Sequence, residues 1–255
     1  MSLEPVIVQT VVQRSAVEAA LDSVRDPELD EPITDLGFVQ EILIEGANVF
    51  VRLRLPTSFC APNFSYLMAS DAMDALRALP GIGQASVVLD GNVDSERINA
   101  GVAASWGFAG TFPEETASGL EDLRFIFQSK AHLASIERVC VGLMRDDGLT
   151  VEDLGSLTLA DLPKNMATDA LLLRRLDLRL SLELDAPVLV DEYGTRWESM
   201  SLATQLRFAK ATRISIDGNA HFCRGMLRTR YPDSENEQRP REQDFLTIRA
   251  LENVS

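Results

Sequence analysis

Cys60 stands in the segment Leu55-Pro-Thr-Ser-Phe-Cys-Ala-Pro-Asn63, between a run of alternating apolar residues and an amphipathic one. That order predicts a thiol at the junction of a strand and a helix. The positive end of a helix dipole favours a nearby thiolate. Thiolates bind soft metals and attack electrophiles. The plainer alternative is a small buried apolar residue, which free cysteine often is. The position of Cys60 in a loop favours the chemical reading.

Other groups are fewer and more scattered. Asp26 and Glu28, in Arg25-Asp-Pro-Glu-Leu-Asp-Glu-Pro32, are acids that could assist metal transfer at Cys60; Asp before Pro is also an ordinary turn residue. His221 and Cys223 are two apart. On a strand they would share a face and could ligate together, whereas on a helix they diverge, and a helix start capped by Asn219 is the stronger expectation. Cys140 falls on an apolar helical face with Ile136 and Leu143 and reads as core. Arg224, Arg228 and Arg230 form a local basic cluster, read as a solvated helix face or a contact for an acidic partner. One thiolate with carboxylates falls short of the four ligands of a closed structural zinc site. Metal binding, where it occurs, is therefore expected to be transient or shared across a homodimer. With two histidines, His132 and His221, and no nucleophile elbow, P-loop or dinucleotide fingerprint, hydrolytic and nucleotide chemistry has little material. A thiol enzyme would need a base within reach of Cys60, and no histidine lies near it in sequence.

The elements that must position these groups follow from periodicity. Val17, Leu21 and Val24 share a helical face, with Ser15 as a plausible cap, and the helix should stop before Asp26-Pro27. An acidic loop follows, then a turn at Gly37. Val39–Glu45 and Val49–Leu55 alternate as strands around a tight turn at Glu45–Asn48. Pro62–Leu79 has helical spacing and ends at Pro80-Gly81. Gln84–Leu89 reads as a third strand. Residues 93–119, rich in glycine, read as a linker with a short helix near Asp94–Ala104. Beyond it, residues 120–143 suggest one or two helices. Thr150…Asp153 and Thr158…Asp161 repeat a capping-box spacing. Leu171–Leu184 is read as helix, Pro187–Val190 as strand, Leu202–Ala211 as helix, Arg213–Ile216 as strand, Asn219–Arg230 as the last helix and Pro232–Gln243 as a tail. The fold class is therefore α/β in the α+β sense. A small helix–strand–strand–helix–strand domain fills residues 1–92, and a mostly helical region with a few strands fills 120–255.

The totals limit the function further. At 45% hydrophobic residues a substantial core is available, so global disorder is not expected. A net charge of −15, from 24 basic against 39 acidic residues, repels nucleic acid and anionic membranes. No stretch is long and apolar enough for a membrane span, the short run Val6–Val12 lacks a basic leader, and three scattered cysteines read as reduced thiols. A cytoplasmic location is the expectation.

Four segments together carry a resemblance: Val24-Arg-Asp-Pro-Glu28, Ile33-Thr-Asp-Leu-Gly37, Thr57-Ser-Phe-Cys-Ala-Pro62 and Leu79-Pro-Gly-Ile82. In order and spacing, residues 10 to 90 resemble the SufT/PaaD-type iron–sulfur cluster assembly domains. The resemblance implies an accessory factor in the maturation of a metalloenzyme rather than an enzyme. It implies Cys60 as the functional thiol, with Asp26, Glu28, Asp35, Thr57 and Ser58 as motif neighbours. Its partners would be a client metalloenzyme or the assembly machinery. No tightly bound cofactor is expected, only transient iron or an iron–sulfur cluster. The family commonly places Pro directly after the Cys; here Ala61 intervenes. Residues 120–255 would supply client binding. The two-part chain also resembles accessory components of multicomponent di-iron monooxygenases, which gives the alternative of a metal-free, chaperone-like assembly protein.

Overall fold

The computed structural model of the protein describes residues 12–115 and 120–232. The run Val6–Val12, except Val12, and the tail expected at Pro232–Gln243, except Pro232, lie outside them. Helix α1 (Arg14–Asp22) forms where Val17 and Leu21 recur one turn apart, both fully buried. Its N-cap is Gln13, so Ser15 lies inside the helix and does not cap it. The expected acidic loop is a small hairpin: β1 (Arg25–Asp26) pairs antiparallel with β2 (Glu31–Pro32), and Asp30 closes it with φ +52°. Asp30 tolerates that left-handed backbone because Arg25 Nε bonds its carboxylate at 3.1 Å.

Strands β3 (Val39–Glu45) and β4 (Asn48–Arg54) form an antiparallel hairpin closed by Gly46 at φ +63°. Helix α2 (Pro62–Arg77) crosses to β5 (Ala85–Asp90), which runs parallel to β4, giving the sheet order β3-β4-β5. Val49, Val51 and Leu53 of β4, with Val87 and Leu89 of β5, form the buried face, as the alternation requires. The helix–strand–strand–helix–strand order is thus the one expected.

Residues 93–115 do not behave as a linker. Helices α3 (Ser95–Ala103) and α4 (Gly107–Thr111) bury Ile98, Val102, Phe108 and Phe112 in the same core as the sheet. The glycine that suggested flexibility serves close packing: a Cβ on Gly101 would stand 2.0 Å from Thr111 Oγ1. Arg97 fixes this end, stacking 4.4 Å over Phe112 and pairing with Glu114 at 2.7 Å.

The chain divides into two compact units. The first takes the described residues up to Leu120 together with those from Asn219 onward; the second takes Glu121–Gly218. The division is therefore discontinuous, where a single boundary near residue 120 was expected.

The second unit is helical. It contains α5 (Leu120–Asp146) from its second residue, α6 (Val151–Leu154), α7 (Met166–Asp177) and the residues up to Gly218 of α8 (Leu202–Arg230). Both expected capping boxes form: Asp153 and Asp161 each accept the backbone N–H of the threonine three residues earlier, at 2.8 Å. Three readings are corrected. Helix α7 stops at Asp177 instead of running through Leu184. It ends in a Schellman motif, with Leu180 N bonded to Arg175 O at 2.8 Å, Arg179 N to Leu176 O at 2.9 Å, and Arg179 at φ +57° in the place glycine usually takes. Pro187–Val190 is not a strand; it makes only isolated bridges, Thr158 to Pro187 and Val190 to Arg196. Arg213–Ile216 is not a strand either, because α8 runs unbroken from Leu202 to Arg230. Arg213 and Asp217, paired at 2.7 Å one turn apart, hold the helix through Asp217-Gly218. Arg213 also pairs with Glu137, which is buried on α5. In this unit Arg175 is 1% exposed and donates to the carbonyls of Ser181 and Pro187, at 2.9 Å each, tying the irregular segment after α7 to the helix. His132 is buried too, with Nε2 3.3 Å from Val190 O; burial pushes its pKa down to about 4, so the neutral Nε2–H form donates there.

Candidate thiol site

Three loops and one helix of the first unit build the site. The segment after β4 carries Cys60. Pro62 at N1 and Ala61 at the N-cap start α2, so Cys60 lies one residue before the cap, outside the helix. Ala61 is thus what separates the thiol from the helix start. The side chain of Cys60 is half-buried, with Thr57 Oγ1 3.3 Å from its Sγ. Its carbonyl accepts from Asn92 Nδ2 at 3.1 Å and Ser65 Oγ at 3.3 Å. Val93 N donates to Ser58 O at 2.9 Å, so the β5–α3 loop holds the thiol loop at two points. Thr57 and Ser58, implied by the resemblance, are therefore part of the site. Asn92 and Ser65 are not among the expected residues. Gly91-Asn92 carries a turn signal, but nothing local says that Asn92 reaches back to Cys60.

The β1–β2 hairpin supplies Asp26. It is buried at 8% exposure although it belongs to an acidic segment. Its Oδ1 accepts the N–H groups of Glu28 and Leu29, both at 2.9 Å. Burial raises its pKa to about 6 against the lowering effect of those two bonds, and the charge of Glu28 adds to the rise. Asp35 is exposed in the turn before Gly37.

The last residues of α8 complete the unit. Ala220 and Leu227 are buried in its core. Asn219 Nδ2 bonds Glu28 Oε1 at 3.3 Å, Arg224 pairs with Glu31, and Arg230 donates to Leu55 O at 3.2 Å and to Gly91 O. Asn219 is accordingly no helix cap, and Arg224 and Arg230 are not a solvated cluster: they bind the hairpin and the two loops beside Cys60. Cys223 is half-buried on this segment. Burial pushes its thiol up to about 11, with further contributions from the negative charges of Asp26, Cys60 and Glu28. His221 is exposed and, mid-helix, points away from Cys223, so the two do not ligate together. It lines instead a cavity of about 520 Å³ with Pro56, Phe222, Gly225 and Met226. Cys140 is buried in the second unit and its thiol is pushed up to about 12, which makes it core.

The site thus gathers Cys60, Thr57, Ser58, Asp26, Glu28 and Cys223 in one unit. Among the described residues no three His, Cys, Asp or Glu side chains are arranged to hold a metal ion, and no helix is long and apolar enough to cross a membrane.

Comparison with known proteins bears on the same residues. Residues 14–88 match the family model described as iron-sulfur cluster assembly protein. The chain is 41% identical over 85 residues to an iron-sulfur cluster carrier protein of Mycobacterium leprae, covering 33% of this chain and 22% of that one. It is 28% identical over 90 residues to an uncharacterized protein of Methanocaldococcus jannaschii, covering 35% of this chain and 93% of that one. The chain therefore spans about a fifth of the length of the carrier protein it matches. The family match runs from α1 into β5 and includes Cys60.

Proposed function

We propose that this protein is a cytoplasmic accessory factor in iron–sulfur cluster or iron-site assembly, acting through Cys60 and through binding to a client metalloenzyme. It works as a carrier or docking factor and not as an enzyme, with iron or a cluster as cargo. The observation that carries the reading is the placement of Cys60 within a matched assembly domain: its carbonyl is fixed by Asn92 and Ser65, and its thiol is left half-exposed at the edge of α2. A fixed backbone with an accessible sulfur suits a ligand that must be offered and withdrawn. The second unit supplies client recognition. The test is Cys60→Ser, scored on the metal content of the co-expressed client. Under-metallated client is the expected result; full metallation removes Cys60 from the mechanism.

A second reading is a metal-free, chaperone-like assembly protein for a multicomponent di-iron monooxygenase. The exposure of Phe59, at 80%, and Phe222, at 65%, favours it, since apolar side chains left in water suit protein contacts. Anaerobic iron–sulfur reconstitution separates the two. Stoichiometric, Cys60-dependent uptake supports the first reading, and client assembly without any uptake supports the second.

A further inference from the structure

We propose that the outer face of the end of α8 and the segment carrying Cys60 form a docking groove for an acidic stretch of a protein partner, anchored there by an aromatic or aliphatic side chain. The proposal rests on the reading that the protein binds a client, and it sets one contact of that client beside the thiol segment. Most of the groove belongs to no matched segment, because α8 lies far beyond residue 88.

Helical register makes the groove. Ala220 and Leu227 turn one side of α8 into the core of the first unit. Phe222, Gly225, Met226 and Thr229 recur at helical spacing on the opposite side. With Pro56, His221 and Arg230 they line the cavity of about 520 Å³. A cavity of roughly 300–1,000 Å³ takes a sizeable apolar group. The floor is open to one: a Cβ on Gly225 would meet nothing within 4 Å, and Phe222 is 65% exposed. Pro56 comes from the segment that carries Cys60, and Arg230 donates to Leu55 O, the carbonyl just before it. An occupant of the groove is thereby laid against the thiol segment.

Charge selects the occupant. The chain carries −15 in all, yet among the described residues no acidic side chain lines the cavity; its titratable lining groups are His221 and Arg230. Arg228, exposed and two turns after His221, stands on the same flank of the helix. Arg230 gives its N–H groups to the carbonyls of Leu55 and Gly91 and so keeps its charge. Among the described residues neither Arg228 nor Arg230 pairs with a carboxylate. An apolar floor between uncompensated cations fits a segment with an apolar anchor flanked by Asp or Glu, and it repels a basic one.

The test uses fluorescence anisotropy on the full-length protein, with a labelled peptide that has a Phe-Leu pair between runs of Asp, beside its copy with Lys in place of Asp. The acidic peptide is expected to bind and the basic one not. Phe222→Ser and Arg228→Glu are each expected to weaken binding about tenfold or more. Gly225→Leu fills the groove, favours the helix and is expected to abolish binding. Phe208→Ser, which removes a comparably exposed aromatic of α8 in the second unit, should bind as the wild type does. Circular dichroism confirms that every variant is folded. Equal binding of the two peptides, or unchanged binding in folded Gly225→Leu and Arg228→Glu, overturns the proposal. So does the absence of binding by the wild type, whether a second copy or residues 233–255 take the groove instead. The outcomes separate from those of the proposed function. A Cys60→Ser variant that under-metallates the client, beside a Gly225→Leu variant that binds the peptide normally, keeps the function and rejects the groove. A fully metallated client with Cys60→Ser, beside lost peptide binding in Gly225→Leu, keeps the groove and rejects the role of the thiol.

Discussion

Asn92 does more for the site than its sequence neighbourhood suggests. It is 8% exposed and donates to the Cys60 carbonyl from the loop after β5. Asn92→Ala leaves that carbonyl with one donor fewer and is expected to cost about 1–3 kcal/mol in urea unfolding, with faster alkylation of Cys60. Unchanged stability and labelling would show that Ser65 suffices. Cys60 itself is legible in the sequence because its strand–helix junction is local. Asn92 is not, because its partner lies many residues away and asparagine after glycine reads only as a turn. His132 makes a second prediction at this scale. Its folded pKa of about 4 lies below the ordinary 6.5, so the unfolded chain binds more protons between those values. The stability it contributes is full above 6.5 and is lost as pH falls towards 4, by up to about 3 kcal/mol. His132→Gln keeps a donor for Val190 O without the titration. The stability difference between wild type and variant should therefore shift in favour of the variant as pH falls from 7 to 4; a pH-independent difference would contradict it.

At the scale of the element, periodicity was informative where burial has one face and failed where long-range contacts decide. The strands β3, β4 and β5 and helix α2 follow from alternation and helical spacing alone. Helix α8 does not. Asp217-Gly218 reads as a stop, yet the Arg213–Asp217 pair and the buried Ala209, Ile216, Ala220 and Leu227 carry the helix through it. Gly218 is helical and a Cβ there meets open space, so Gly218→Ala is expected to stabilise the protein by about 0.5–1 kcal/mol. Destabilisation in thermal melts would mean that the helix breaks there after all. The end of α7 was hidden for another reason: its Schellman motif uses Arg179, not glycine, and the alternating leucines beyond it resemble either a helix or a strand. What orders that segment is Arg175. Arg175→Leu removes the donor from the carbonyls of Ser181 and Pro187 inside the second unit and is expected to cost about 3 kcal/mol or more. Hydrogen exchange should show the loss first in residues 178–190.

For the whole molecule, the discontinuous first unit matters most, because it joins the matched assembly domain to residues that no family signal covers. The acidic surface, net −15, argues against nucleic acid as partner but says nothing of this connection. The connection runs through the core: Leu227 is 0% exposed and packs with residues of α1, the sheet and α2 in one cluster. Leu227→Ala should therefore cost about 2–5 kcal/mol, the range for a leucine deleted from a packed core. The location of the effect tests more than its size. If the end of α8 is integral to the assembly domain, hydrogen exchange in β4, α2 and the Cys60 loop should rise in Leu227→Ala, while α5 and α7 keep wild-type protection. Were the last residues of α8 only an appendage, exchange would rise in them alone and Cys60 would be alkylated at the wild-type rate.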